Sequence, residues 1–236
     1  MPPELLLIND LETTGLDPQK DQVIELGAIL YSVPQACVLQ QLSTLFPVTE
    51  NPAEKINHIS PKASQLVDDF ALPLQQFAQW LTKADYLIAH NVSFDRQWFG
   101  MGHLPKVDKK WLCTYDDFVW SKNAQPTSLI NTVLNYGLGV SNAHRALTDC
   151  QLIAALFDRV GESGELLPLI MEAIARSEEP KIEAIAKVNY DNRDLAKEWG
   201  FRWNSKTKTW SKKIRPSDLA KESPSYPFKI TKQAIQ

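Results

Sequence analysis

Two carboxylates stand where a buried strand should end, and this constrains the chain most. Leu5-Leu6-Leu7-Ile8 is a short unbroken apolar run, the pattern of a strand covered on both faces. Asp10 and Glu12 continue it and, at period two, share a face with Leu6 and Ile8. Thr13-Thr14-Gly15 then stops the strand, Gly15 allowing a backbone angle that other residues resist. Charge at the end of a buried strand is costly unless something compensates it. Alone, such a pair is more often a solvated strand end. Two further acids repeat the anomaly: Asp95 is at helical spacing with Trp98 and Phe99, and Asp149 with Ile153, Leu156 and Val160. Four acids facing one another cannot all stay ionised without a counter-charge. The natural one is a hard divalent cation with oxygen ligands, Mg²⁺ or Mn²⁺. His144 precedes Asp149 by five residues, about 140° away on a continuous helix, so it belongs in the loop before that helix. There it could take a proton from a water held at the acids, the competing reading being a solvated loop histidine. His58, His90 and His103 have no equivalent partner, although His90 closes a buried strand.

The remaining pattern predicts strands over 23–31 and 36–48, with Val33-Pro34-Gln35 at the turn between them. Helices follow between 60 and 83, divided near Leu72-Pro73, then a strand at 86–89 and a helix over 93–101 capped by Ser93. A strand at 111–113 and helices over 114–120, 127–136 and 146–160 complete the first part. Strands first, then alternating helices and strands, imply an α/β fold built on a mixed sheet. The expected domains are residues 1–163, a helical connector over 164–180, and a small α+β domain over 181–236.

Apolar residues make up 44% and charged residues 22%, which excludes a disordered or collagen-like chain. No apolar run approaches the ~18 residues of a membrane span, and Met1-Pro2-Pro3-Glu4 lacks the basic start of a secretory leader. Cys37, Cys113 and Cys150 are too few and too scattered for a disulfide framework or a zinc site. A reduced, cytoplasmic protein is expected.

The net charge of −3 conceals an asymmetry. Residues 181–236 hold 13 Lys and Arg against 6 Asp and Glu, whereas the rest holds 12 against 22. Such a split points to nucleic acid as the partner of the basic part. Trp199, Trp203 and Trp210 lie among Arg202, Lys206, Lys208 and Lys212, as a single-strand surface requires: cations for phosphates, rings for bases. The alternative is that the tryptophans form the core of a very small domain.

Three ordered stretches carry a family resemblance. Asp10-Leu11-Glu12-Thr13-Thr14-Gly15-Leu16, Ala89-His90-Asn91-Val92-Ser93-Phe94-Asp95 and His144-Arg145-Ala146-Leu147-Thr148-Asp149 resemble the three motifs of the DnaQ-like, DEDDh 3′–5′ exonucleases. The middle stretch and the Trp111-to-Thr114 and His144-to-Cys150 segments are most similar to the bacterial exonuclease X group. The resemblance spans roughly residues 4–160. It implies a ribonuclease H-like fold and hydrolysis at a nucleic-acid 3′ end, releasing nucleoside 5′-monophosphates with two Mg²⁺ or Mn²⁺ ions. It further implies that Asp10, Glu12, Asp95 and Asp149 hold the metals and that His144 is the general base. Thr13, Thr14, Leu16, Asn91 and Phe94 would contact the terminal nucleotide. His58 is displaced by one position from the histidine of many relatives and is given no catalytic role. The stretch from Val188 to Trp210 also resembles a small module of unknown function in bacterial DNA-handling proteins.

The expected partner is therefore single-stranded DNA or a DNA 3′ end, with a polymerase or repair protein as a further partner class. Two alternatives stand beside it: an exoribonuclease acting on RNA 3′ ends, and a non-catalytic protein that uses the fold only to dock nucleic acid or a polymerase. Oligomeric state is left open.

Overall fold

Strand β1 (Leu5–Thr13) is covered from both sides, as the run at residues 5–8 requires. Its alternation sends Leu6 and Ile8 into one apolar cluster and Leu7 and Leu11 into another. The computed structural model describes residues 1–123, 126–140 and 144–234, which divide into two compact units, Met1–Ser177 and Glu178–Gln236.

In the first unit β1 is followed by β2 (Val23–Ser32) and β3 (Cys37–Leu45), both antiparallel. Two single-turn helices, α1 (Glu54–Asn57) and α2 (Pro61–Ser64), lead to α3 (Ala71–Lys83). Strand β4 (Tyr86–Ala89), helix α4 (Val92–Asp95) and strand β5 (Trp111–Cys113) come next. Helices α5 (Leu129–Asn135), α6 (Ala146–Gly161) and α7 (Leu166–Glu178) close the unit. The sheet order is β3-β2-β1-β4-β5, with β1, β4 and β5 parallel. Phe77 and Trp80 of α3 cover one face, and Cys150, Ile153, Leu156 and Phe157 of α6 cover the other.

Three local expectations fail for identifiable reasons. The break between the helices falls over 65–70 rather than at Leu72-Pro73, because Pro73 sits in the first turn of α3, where its missing N–H leaves no bond unmade. Asn91, not Ser93, precedes α4, and the Ser93 hydroxyl donates to the Asn91 side chain at 2.7 Å. Residues 114–117 form a turn instead of a helix, since the Asp117 carboxylate accepts the Cys113 N–H at 2.7 Å. The segment expected as a connector contains α7, whose Leu166, Ile170 and Ala173 are buried in the first unit's core.

The second unit is an antiparallel sheet of β6 (Ile182–Lys187), β7 (Arg202–Asn204), β8 (Thr209–Ile214) and β9 (Lys229–Ala234), ordered β7-β8-β6-β9. Helices α8 (Arg193–Glu198) and α9 (Pro216–Glu222) bury Ala196 and Leu219 against Ala184, Ala186, Phe201 and Ile214.

What positions α6 is the absence of a side chain. A Cβ on Gly27 of β2 would stand 2.3 Å from the backbone of both Ala146 and Leu147, so only glycine lets the helix start against the strand. Asp10 is the partner of Gly27 across β1 and β2, so that contact brings the start of α6 beside the end of β1. Gly27→Ala should therefore lower the unfolding free energy by about 1–3 kcal/mol or more, as forced overpacking does. Gly139→Ala, with nothing within 4 Å of the added atom, should stay within about 0.5 kcal/mol in the same urea titrations.

Candidate active site

Parallel β1 and β4 pair only from Leu6 to Ile8, and Asn9 makes the last link, its amide donating to the Ile88 carbonyl at 3.1 Å. Beyond it β1 runs on to Thr13 beside β2 alone, which leaves a crevice at the carboxyl ends of the two parallel strands. Asp10 and Glu12 occupy the β1 side of that crevice. Asp95 reaches it from α4, directly after β4, and is 2% exposed. Asp149 comes from the first turn of α6.

Asp10, Glu12 and Asp149 each offer a carboxylate oxygen within 4.8 Å of the others. Asp95 lies close enough to be the strongest of the acids acting on Asp10. Burial, reinforced by the charges of Asp95, Asp149 and Glu12, holds the Asp10 carboxyl well above the usual carboxylate range. Glu12 is pushed up to about 8, by burial first and then by Asp149. Asp95 is raised to about 7 by burial, against the pull of its own and Leu11's backbone N–H groups. Asp149 is raised to about 6 by burial, which His144 opposes both by charge and by a backbone hydrogen bond. One carboxylate oxygen of Asp95, Oδ1, is buried without any hydrogen-bond partner. A tight set of acids with an orphaned oxygen fits a bound divalent cation, which supplies the missing partner and the missing charge at once.

His144 stands exposed in the loop before α6 with a φ of 63°, a left-handed backbone that a non-glycine residue rarely adopts. It is next to Arg145, which precedes the helix. The sequence reading missed the group that fixes this corner. Glu25 of β2, the cross-strand partner of Glu12, is 1% exposed. Its carboxylate accepts from Arg145 Nη2 at 2.8 Å and Nε at 3.0 Å, from the Ala146 N–H at 3.0 Å and from the Ser43 hydroxyl at 3.0 Å. A two-pronged guanidinium grip on a saturated carboxylate is directional as well as strong. The signal was available: Glu25 interrupts the apolar run from Val23 to Tyr31, the same anomaly that marked Asp10.

The other expected site residues are distributed around the crevice. The Thr13 hydroxyl donates to the Gly15 carbonyl at 2.6 Å, and the Thr14 hydroxyl accepts from the Gln22 N–H at 2.9 Å, so both brace the turn after β1. Gly15 does not have a left-handed angle there. A Cβ there would meet the Asp21 carboxylate at 2.3 Å, so a larger residue would displace that side chain. Leu16 is 80% exposed at the tip of that turn. Asn91 is exposed, and Phe94 packs edge-on against Trp98 at 5.9 Å. His58 is exposed, and its neighbour Asn57 is buried and donates to the Thr13 carbonyl at 3.2 Å. His90 is held neutral by burial, lowered to about 4, and His103 packs against Phe46 and Phe70.

In the second unit the expected nucleic-acid residues do not form one surface. Trp210 is packed with the core, and Lys212 donates to Glu222 at 2.6 Å on the helix-covered side. Trp203, 53% exposed on edge strand β7, pairs with Trp210 at 5.7 Å. Lys206 and Lys208 lie in the turn between β7 and β8, and Arg202 faces the opposite side of the sheet from Trp203. The tryptophans thus follow the small-core alternative more than the stacking one.

The family model described as "Exonuclease" matches residues 7–157, and a model of a domain of unknown function matches residues 184–231. The DNA polymerase III subunit epsilon of Treponema pallidum is 31% identical over 166 residues, covering 63% of this chain and 72% of that protein. The PolC-type DNA polymerase III of Thermotoga maritima is 28% identical over 163 residues, 66% of this chain but only 12% of the polymerase. The chain therefore spans about an eighth of the length of the PolC-type relatives it matches. A structure of exonuclease X in complex with 5′-overhanging duplex DNA superimposes with a TM-score of 0.52 at 23% identity, covering 71% of this chain and 98% of that one. With the family model matching well over half of its length, the chain belongs to the DnaQ-like exonuclease family.

Proposed function

We propose that the protein is a metal-dependent exonuclease that removes nucleotides one at a time from the 3′ end of DNA, releasing nucleoside 5′-monophosphates. The observation that carries this reading is the group of Asp10, Glu12 and Asp149 at one crevice, with buried Asp95 acting on Asp10, its Oδ1 orphaned, and a loop histidine acting on Asp149. Asp10, Glu12, Asp95 and Asp149 would hold two divalent ions, Mg²⁺ or Mn²⁺. When bound, such ions stabilise the charge that develops on the attacking and leaving oxygens.

His144 would accept the proton of the attacking water at an imidazole nitrogen, a role suited to an exposed side chain beside Asp149. Glu25 and Arg145 would keep that imidazole and the Asp149 carboxylate in register with β1. Exposed Leu16 would meet the terminal base, while Thr13 and Thr14 hold the turn that presents it; Asn91 and Phe94 would line the opposite wall. DNA is favoured over RNA by the relatives: one is a DNA polymerase III subunit, and the exonuclease X structure contains duplex DNA. The epsilon relative also makes a polymerase a reasonable partner class.

The metal requirement is tested on 3′-labelled DNA and RNA oligonucleotides. Cleavage should stop in EDTA and return with Mg²⁺ or Mn²⁺ but not with Ca²⁺, which prefers looser, higher coordination. Asp10→Asn should lose more than about a hundredfold in turnover, beyond the cost of losing an outer partner of a metal ligand. Cleavage that persists in EDTA would refute the reading, and faster loss of the RNA would move the substrate to RNA.

The proton role is tested separately. His144→Ala should reduce turnover by roughly 10²–10⁴, the range for a general base, with strand affinity nearly unchanged. Near-normal turnover would make His144 a bystander.

A further inference from the structure

The C-terminal sheet has one face under helices and one face without them. On the covered side Ala184, Ala186 and Ile214 pack against Ala196 of α8 and Leu219 of α9. Alternation sends the intervening residues the other way. The register aligns them in rows across the sheet: Gln233, Glu183 and Lys213 in one, Thr231, Ile185, Ser211 and Arg202 in the next, then Lys229 beside Lys187. Hence Lys187, Arg202, Lys213 and Lys229 share this side, and all four are exposed. Glu183 is the acid among them.

The distribution of charge is as telling as its sign. Asp191, Asp194, Glu198, Asp218 and Glu222, the other acids of residues 181–236, lie in α8, in α9 or in the turn before α8. There they engage cations of the helices or of the covered sheet face, Lys197 with Asp194 at 2.7 Å and Lys212 of β8 with Glu222 at 2.6 Å. Among the described residues, Lys187, Arg202, Lys213 and Lys229 have no acid within ion-pairing distance. Four cations against one acid, interspersed with Ser211, Thr231, Gln233 and one apolar residue, Ile185, make a donor-rich surface. It lacks any aromatic ring, so it suits phosphates rather than stacked bases.

We propose that this uncovered sheet face, through Lys187, Arg202, Lys213 and Lys229, binds the phosphate backbone of single-stranded DNA. The choice of polyanion rests on the exonuclease reading, while the surface itself rests on charge complementarity. This face replaces the tryptophan cluster as the contact surface of the unit.

The test measures equilibrium binding of a fluorescent oligo-dT and of an abasic strand of equal length to the full chain in EDTA. Strand cleavage in Mg²⁺ is followed separately, so either reading can fail alone. The variant K187Q/R202Q/K213Q/K229Q should bind the strand at least about tenfold more weakly at ~0.1 M salt. Its log Kd should also depend less steeply on log salt, by about 3, since each single-strand phosphate contact contributes ~0.7. R193Q/K197Q/K221Q/K232Q, which removes the same charge from the helical layer and the covered face, should change affinity by less than about threefold. Wild type should hold the abasic strand nearly as well as oligo-dT. Unfolding midpoints of both variants show that each is folded. Equal losses in the two variants would reduce the effect to net charge, and no loss in the first would remove the face from binding. Either result overturns the proposal. So would unchanged strand binding with loss of binding to phosphatidylserine vesicles, which would assign the face to a membrane surface.

Discussion

Glu25 clamps the beginning of α6 to the sheet, and the geometry of the acidic crevice follows from that clamp. Its carboxylate grips Arg145 by two nitrogens and caps the Ala146 N–H, while glycine at position 27 allows the helix backbone to come into contact with β2. Asp149 is three residues into that helix and His144 two residues before it. Shifting the start of α6 would therefore move one acid and the histidine together. Arg145 pairs with Glu25 at 2.8 Å, yet the Glu25 charge still adds to the rise of its cross-strand partner Glu12, after burial and Asp149. Arg145 acts on Glu12 as well, opposing the rise caused by burial, Asp149 and Glu25.

The same crevice is an energetic liability without a cation. Asp10, Glu12, Asp95 and Asp149 all have carboxyl groups held above their ordinary range, with burial the first cause in each. Folding would place these acids more comfortably if they were amides or alcohols. A chain that nevertheless keeps carboxylates there has a site suited to something positively charged, and the partnerless Asp95 oxygen points the same way.

Much of the first unit was legible because the acids conflict with their surroundings. Asp10 and Glu12 follow an apolar run, and Asp95 and Asp149 occupy apolar helical faces, so local pattern and residue chemistry disagree at the site. Glu25 shows the same conflict inside β2, but no spacing rule connects it to Arg145, 120 residues away. Gly27 is invisible to periodicity for a similar reason: its role exists only when α6 touches the strand. The pattern over 114–120 predicts a helix, yet residues 114–117 form a turn because Asp117 satisfies the Cys113 N–H locally, a choice between two good hydrogen bonds that composition does not reveal. In the C-terminal unit the clustering of Trp and Lys in sequence suggested one surface. Strand alternation separates them, sending Trp210 and Lys212 under the helices and Arg202 and Lys213 to the other side.

The proposed divalent-cation site implies that a bound ion stabilises the folded chain, most where the crevice acids are most ionised. Unfolding midpoints between about pH 6.5 and 8, in chelator and in Mn²⁺, test it most directly. A carboxyl whose folded pKa is raised binds more protons in the native state, so stability falls as pH rises towards that value. That loss begins in the ordinary carboxylate range and ends near the folded values, about 7 for Asp95 and about 8 for Glu12, so its last part falls inside the window. His90, buried and lowered to about 4, would act in the opposite sense only below about pH 6.5. The midpoint in chelator should therefore drop across the window, and Mn²⁺ should restore it most strongly at pH 8. A midpoint that is flat with pH and indifferent to Mn²⁺ would contradict the account.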